Sequence, residues 1–324
     1  MTILVGCSGW SYDDWTGRFY PHSLARKRGE WLAYYSRFFP TVEINSSFYQ
    51  PPGERQVATW IKKGQALGTG KFEFSLKMPR TVTHICMVQK DAKEAASSAR
   101  AFEQTCAAPL HQAGLLGSVL LQLSPYFTAS PENLAVLREV LDALRPEEHS
   151  YAVEFRHNSW RDRVTGAIGQ PVSRLLAEMG VEEVLTDGPT APPHHAGTPQ
   201  PGRCSSFAEM ASAGISAPPG SGQSAGHAYI RFHGRNCDLW FGREKEEGDF
   251  RLNRYDYLYS KEEIRDWVPR IKAEEIRADR VRIYFNNHAR AKAVRNAFQL
   301  MDMLALPHEE KKIDLQNQYR LGSF

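Results

Sequence analysis

Thr41-Val42-Glu43-Ile44-Asn45 is a run of strand length in which apolar Val42 and Ile44 alternate with Thr41, Glu43 and Asn45. Such alternation places the two sets on opposite faces of an extended backbone. Seven further runs of similar length recur along the chain: Ile3–Gly6, Phe72–Lys77, Val119–Leu123, Tyr151–Phe155, Glu183–Thr186, Ala228–His233 and Arg282–Asn286. Most of the gaps between them carry helical patterns. Trp31, Leu32, Tyr35 and Phe38 recur at helical spacing, and 91–106 is rich in helix formers. Ser130 is a good N-cap followed by Pro131, which predicts a helix over 131–144; 173–179, 262–276 and 291–304 read as helices too. Strand-helix alternation repeated eight times predicts a parallel sheet, and eight units in one chain is the count of the TIM (β/α)8 barrel. A doubly wound open sheet is the alternative, but no G-x-G-x-x-G follows the first run. The expectation is one α/β domain over 1–324.

The segment 188–226 breaks this rhythm. It holds seven of the chain's 19 prolines and no sustained periodicity. It falls where a helix is due, and a loop so long inside a compact domain is functional or disordered. It is expected to run as a mobile excursion over the barrel mouth.

With 42% hydrophobic and 24% charged residues, the composition is that of a water-soluble globular protein. A net charge of +3 excludes a surface built throughout to hold nucleic acid, though not a local basic patch. No apolar run approaches the roughly 18 residues of a membrane span. Cys7, Cys86, Cys106, Cys204 and Cys237 are widely spaced without a C-x-x-C pair, which argues against a disulfide or zinc framework and for a reducing, cytoplasmic setting. Leu4-Val5-Gly6-Cys7 superficially matches a lipidation site, but lacks the basic region and the long apolar stretch such a signal needs, and reads as a buried first strand.

In such barrels the site lies at the C-terminal ends of the strands. Here nearly every run ends in polar or ionisable residues: Cys7-Ser8, Asn45-Ser46-Ser47, Lys77, Gln122, Arg156-His157, Asp187, His233-Gly234-Arg235 and Asn286-Asn287-His288. The period of two pairs Glu43 with Asn45, Ser75 with Lys77, Glu154 with Arg156, and Arg231 with His233 on inward faces. Leu76, Phe155 and Phe232 then point outward. Buried charges are expensive, so this set is either an internal ion-pair network or a site. A core built for stability alone would use apolar residues, which favours a site.

Five ordered motifs resemble one family across nearly the whole chain. They are Gly6-Cys7-Ser8-Gly9-Trp10-Ser11-Tyr12, Thr41–Tyr49, Val153-Glu154-Phe155-Arg156-His157-Asn158-Ser159-Trp160, Tyr229–Gly234 and Tyr284–His288. The sequence is similar to the domain of unknown function 72, or YecE-like, family. The resemblance implies a TIM barrel and supplies no activity. Asn158 stands where the family pattern has proline, Arg290 and Lys292 where it has glycines, and 188–226 is longer than the pattern.

Glu43 and Glu154 offer a pair of carboxylates for acid/base work. Lys77, counted with them in the catalytic set, and Arg80, Arg156, Arg231 and Arg235 offer anion clamps that neutralise substrate charge. Asn45, Asn286, Asn287 and His233 are expected to orient a substrate by hydrogen bonds. Gly234 and the 287–291 turn offer backbone N–H groups to a phosphate. Trp10, Tyr12, Trp15, Phe48, Tyr49, Tyr126 and Trp160 crowd the same loops, either packing them down or stacking on a ligand, with Trp10 and Tyr49 foremost as binding residues.

No nucleotide-cofactor motif is present. A metal set drawn from His84, His157, His233, His288, Glu43, Glu154 and Asp187 lacks H-x-H or H-E-x-x-H spacing and is not favoured. His194-His195, Arg26-Lys27-Arg28 and Cys7-Ser8-Gly9 carry no specific signal. The sequence therefore points to an acid/base enzyme for a small anionic, phosphorylated molecule. The alternatives are a nucleic-acid-binding or endonuclease-like barrel and a binding module without turnover.

Overall fold

Alternating runs of this length can bury both faces when helices cover both sides of an open sheet, or when the sheet curls round one set and helices cover the other. The computed structural model describes residues 2–68, 70, 72–162, 165–188, 226–236, 255–309 and 311–313. The strands are β1 (Thr2–Ser8), β2 (Thr41–Ile44), β3 (Glu73–Lys77), β4 (Leu116–Gln122), β5 (Tyr151–Glu154), β6 (Glu182–Glu183), β7 (Leu185–Asp187), β8 (His227–Phe232) and β9 (Arg280–Phe285). Every pairing is parallel. The sheet order is β6-β5-β4-β3-β2-β1-β9-β8-β7. Its two ends, β6 and β7, are joined by Val184, whose N–H still donates to Val153 of β5 at 2.9 Å. The nine segments thus fill eight wall positions, and the TIM-barrel expectation is met.

The helices are α1 (Trp31–Tyr35), α2 (Ser46–Tyr49), α3 (Glu54–Ala66), α4 (Ala92–Phe102), α5 (Ala108–Gln112), α6 (Pro131–Asp142), α7 (Gln170–Met179), α8 (Lys261–Arg265), α9 (Val268–Arg277) and α10 (Lys292–Met303). Their starts obey local chemistry. Asp91 accepts the Glu94 N–H ahead of α4, and Ser130 accepts the Asn133 N–H ahead of α6 with Pro131 in the first turn. Ser260 and Glu263 form a reciprocal capping box at α8. The expected helix over 262–276 is two helices, with Pro269 in the first turn of α9 where its missing N–H costs nothing.

Two faces follow from the period of two. Val42, Ile44, Phe74, Leu76, Leu121, Val153, Phe155, Ile230, Phe232, Ile283 and Phe285 all join the main core under the helices. Inside the barrel, among the described residues, Leu120, Ala152, Val184, Tyr229 and Tyr284 form an apolar plug. Below it, towards the N-terminal ends, Arg282 is paired with Glu73 at 2.6 Å. Above it lies the charged layer described next. The 188–226 segment falls, apart from its end residues, outside the described residues. Among the described residues, no helix is long and apolar enough to cross a membrane.

Candidate functional site

Strand alternation lifts Glu43 on β2, Glu154 on β5 and Arg231 on β8 into one layer, and all three are fully buried. The Arg231 guanidinium bridges the carboxylates. Its Nη2 donates to Glu43 Oε1 at 2.7 Å, and its Nη1 donates to Glu154 Oε2 and to Gln122 Oε1. Ser8 and Tyr229 complete the shell of Glu43, each donating at 2.7 Å. Burial alone would raise the Glu43 carboxyl, but Arg231, Ser8 and Tyr229 outweigh it and hold it below its usual range. Burial is likewise overcome at Glu154 by Arg231, His233 and Arg156, and that carboxyl sits well below the usual range. Both are ionised at neutral pH.

The rim stands directly above. Asn45, Lys77, Arg156, His233 and Asn286 all lie at or just beyond the C-terminal ends of parallel strands, so they share one end of the barrel. Arg156 Nη1 donates to Glu154 Oε1 at 2.9 Å. His233 reaches Glu154 Oε1 through Nε2 at 3.2 Å and Asn286 Nδ2 through Nδ1 at 3.1 Å, while Asn45 Nδ2 donates to Asn286 Oδ1 at 3.4 Å. Because an amide nitrogen is a donor, His233 Nδ1 must accept, which leaves the proton on Nε2 facing the carboxylate. Burial then holds this neutral ring down at about 4, against the pull of Glu154.

Lys77 differs from every other charge in the layer. It is 8% exposed, and among the described residues its Nζ has no hydrogen-bond or ion-pair partner. The ammonium sits instead 4.0 Å over the Phe48 ring. Burial, reinforced by Arg231 and opposed by Glu43 and Glu154, brings it down to about 7. Its backbone is clipped by α2: Ser47 Oγ donates to the Lys77 carbonyl at 2.8 Å and accepts its N–H at 3.2 Å. Ser47 fixes the strand end, and the next residue supplies the ring under the amine. His84, following β3, packs edge-on against the same ring at 4.8 Å, and burial and Lys77 hold it down at about 4.

Other expected members are spent elsewhere. Arg235 is bound by Asp187 at 2.7 Å and Glu263 at 3.2 Å, so it is no anion clamp; Asp187 in turn is held by Tyr259 and Trp267. Asn287 is fully buried, and its amide donates to the Tyr257 carbonyl and to Asn296 Oδ1. Trp10 packs on Phe74, an outward-facing residue of β3. Tyr12 stacks on His288, Trp15 donates to the His288 carbonyl, and Trp160 donates to the Phe127 carbonyl, so these aromatics pack loops down. Tyr49 and Tyr126 remain solvent-facing, at 69% and 81% exposure. The Gly234 N–H donates to Tyr259 and the Arg290 N–H to Asp14, so neither awaits a phosphate. Arg290 and Ala291 are both left-handed, the conformation that glycines would adopt without strain. His157 bonds within its own turn to Ser159. Among the described residues, no group of three or more His, Cys, Asp or Glu is arranged to hold a metal. Ser8, Ser47 and Gln122, read in the sequence only as polar strand ends, and Tyr229, read only as part of a motif, are partners to which the sequence assigned no role. The period of two would have found Tyr229, which shares a face with Arg231.

An eight-position parallel barrel, charged inside and polar at one rim, defines the class. The chain belongs to the family described as protein of unknown function DUF72, whose model matches residues 4–319. It is 27% identical over 310 residues to the UPF0759 protein YunF of Bacillus subtilis, covering 94% of this chain and 96% of that one. A DUF72 family crystal structure from Thermotoga maritima superposes with TM-score 0.71 at 28% identity, covering 94% of this chain and 100% of the other. One from Enterococcus faecalis gives 0.67 at 24% identity, covering 97% and 100%, and speaks for the fold.

Proposed function

We propose that the chain is an enzyme in which Lys77 exchanges a proton with a small anionic, phosphate-bearing molecule held at the barrel mouth. The observation that carries this is the buried Lys77 ammonium, which has no hydrogen-bond or ion-pair partner among the described residues. A buried charge left unpaired costs stability, whereas a group poised near neutrality suits proton transfer. Glu43 and Glu154 act as fixed counter-ions. With both carboxyls held low, neither gives nor takes a proton near pH 7; they hold Arg231 and draw Arg156 to the rim. Charge counting fits an anion. Two carboxylates balance Arg231 and Arg156, and protonated Lys77 adds one positive charge, with exposed Arg80 nearby in sequence. Exposed Tyr49 and Tyr126 offer ring faces to the rest of the ligand.

Those two rings also favour a second reading, in which the same mouth grips a nucleic-acid strand. A titration with sulfate, whose charge is constant between pH 6 and 8.5, tests the first. Affinity should fall about tenfold or more over that range as Lys77 loses its proton, and Lys77→Met should abolish the dependence. Sulfate affinity that ignores pH in the unsubstituted protein overturns it. An oligonucleotide that binds with a steep inverse dependence on salt selects the second reading.

A further inference from the structure

We propose that Lys77 is an imine-forming amine, so the molecule taken at the mouth carries an aldehyde or ketone beside its anionic group. This rests on the acid/base reading above and names the substrate class for the same site. An amine attacks a carbonyl only when its lone pair is free, and it does so faster when its position is fixed. Both conditions are built here by one short segment. Ser47 pins the Lys77 backbone through its N–H and its carbonyl, and Phe48 covers Nζ with an apolar ring. The two carboxylates that would trap the ammonium in an ion pair are instead both engaged by Arg231. Three features of the sequence thus converge on an amine that is uncommitted among the described residues, at the C-terminal end of a barrel strand. The carboxylates still act on it through space, since Glu43 and Glu154 both favour its charged form. The same field stabilises the cationic, protonated imine.

The step balances without a further reagent. The Nζ lone pair bonds to the carbonyl carbon, and the carbon–oxygen π pair moves to oxygen. The two amine protons pass to that oxygen, which departs as water while the C=N bond forms. Protonation of the imine by solvent gives the cation that draws electrons from the adjacent carbon. Arg156, bonded to Glu154 at the rim, is placed to meet the anionic group.

Glycolaldehyde phosphate with cyanoborohydride at pH 7 is the test, followed by peptide mapping of the full-length protein. The reductant converts an imine into a stable secondary amine, so the site of reaction is read directly from the unsubstituted chain. An ordinary lysine is only about 0.04% free amine at this pH, and one near 7 is about half free. Lys77 should therefore be labelled at least about tenfold faster than exposed Lys62, Lys90 and Lys93. Sulfate should slow its labelling and leave the others unchanged. Lys77→Arg, which keeps a cation but cannot form an imine, should lose the fast adduct. Labelling of Lys77 no faster than of the exposed lysines overturns the inference. If sulfate binding still follows the titration of Lys77, the acid/base reading survives that result; if sulfate does not bind, both fall.

Discussion

Lys77 is the residue at which stability and function pull in opposite directions. Its folded value, about 7, lies below the ordinary 10.5. Between those limits the unfolded chain binds more protons than the folded one, so stability rises with pH across this window. Lys77 thus withholds stability below pH 7, and its penalty is gone only above the unfolded value. Lys77→Met keeps the stem and removes the charge. It should raise the melting temperature at pH 7, by the equivalent of a few kcal/mol at most. A thermal melt at pH 7 and at pH 10 checks this, because the gain should shrink at the higher pH. A variant that melts lower at pH 7 assigns Lys77 to a structural network. The same reasoning separates Lys77 from Glu43. Glu43→Gln leaves buried Arg231 with one carboxylate instead of two, and should cost about 3–5 kcal/mol in denaturant unfolding.

Between the strands, the Arg231 bridge joins β8 to β2 and β5, elements far apart in sequence. Glu43→Gln and Arg231→Met are therefore coupled, and their costs should not add. The double variant should be less destabilised than the sum by about 1 kcal/mol or more, since the second change removes the charge stranded by the first. Additive costs would mean that the bridge contributes nothing as a pair. On α2, Ser47→Ala removes both clips on the Lys77 backbone and should cost about 1–3 kcal/mol. It should also slow adduct formation at Lys77 while leaving that at Lys62 unchanged, a readout that lost stability alone would not move. The elements also show what one sequence can reveal. The strand runs were readable because side chains alternate with a period of two, and that rule correctly turned Leu76, Phe155 and Phe232 outward. Pairing was not readable. Arg235 and Asp187 stand 48 positions apart and Arg231 and Glu43 stand 188 apart, so only the closed barrel reveals which charges consume each other. The loss of Arg235 from the site has this cause, as does the emergence of Lys77 as the one charge of the buried layer left without a partner among the described residues; Asn287 and Trp10 are likewise taken up by neighbours distant in sequence.

Across the molecule, burial leaves a common mark on three imidazoles. His84 follows β3, His233 follows β8 and His288 follows β9; each is held down at about 4 from an ordinary 6.5, with burial the largest cause. The unfolded chain takes up these protons near pH 6.5 and the folded one only near 4. Their stability is fully present above 6.5 and is lost as pH falls through 4. Each site adds a slope of up to about 1.4 kcal/mol per pH unit in that window, with His84, only half-buried, adding the least. The depressed carboxyls of Glu43 and Glu154 act in the same direction at still lower pH. Lys77 continues the trend on the alkaline side, so stability should climb from pH 4 towards pH 10 until general alkaline effects intervene. Urea unfolding at pH 5, 6, 7 and 8.5 measures it, and His233→Asn should flatten the segment between 5 and 6.5 without altering the rise above 7. A stability that is level between pH 5 and 6.5 would show that the mouth admits water freely to these rings. It would also remove the argument that Lys77 is shielded, because the same enclosure acts on both.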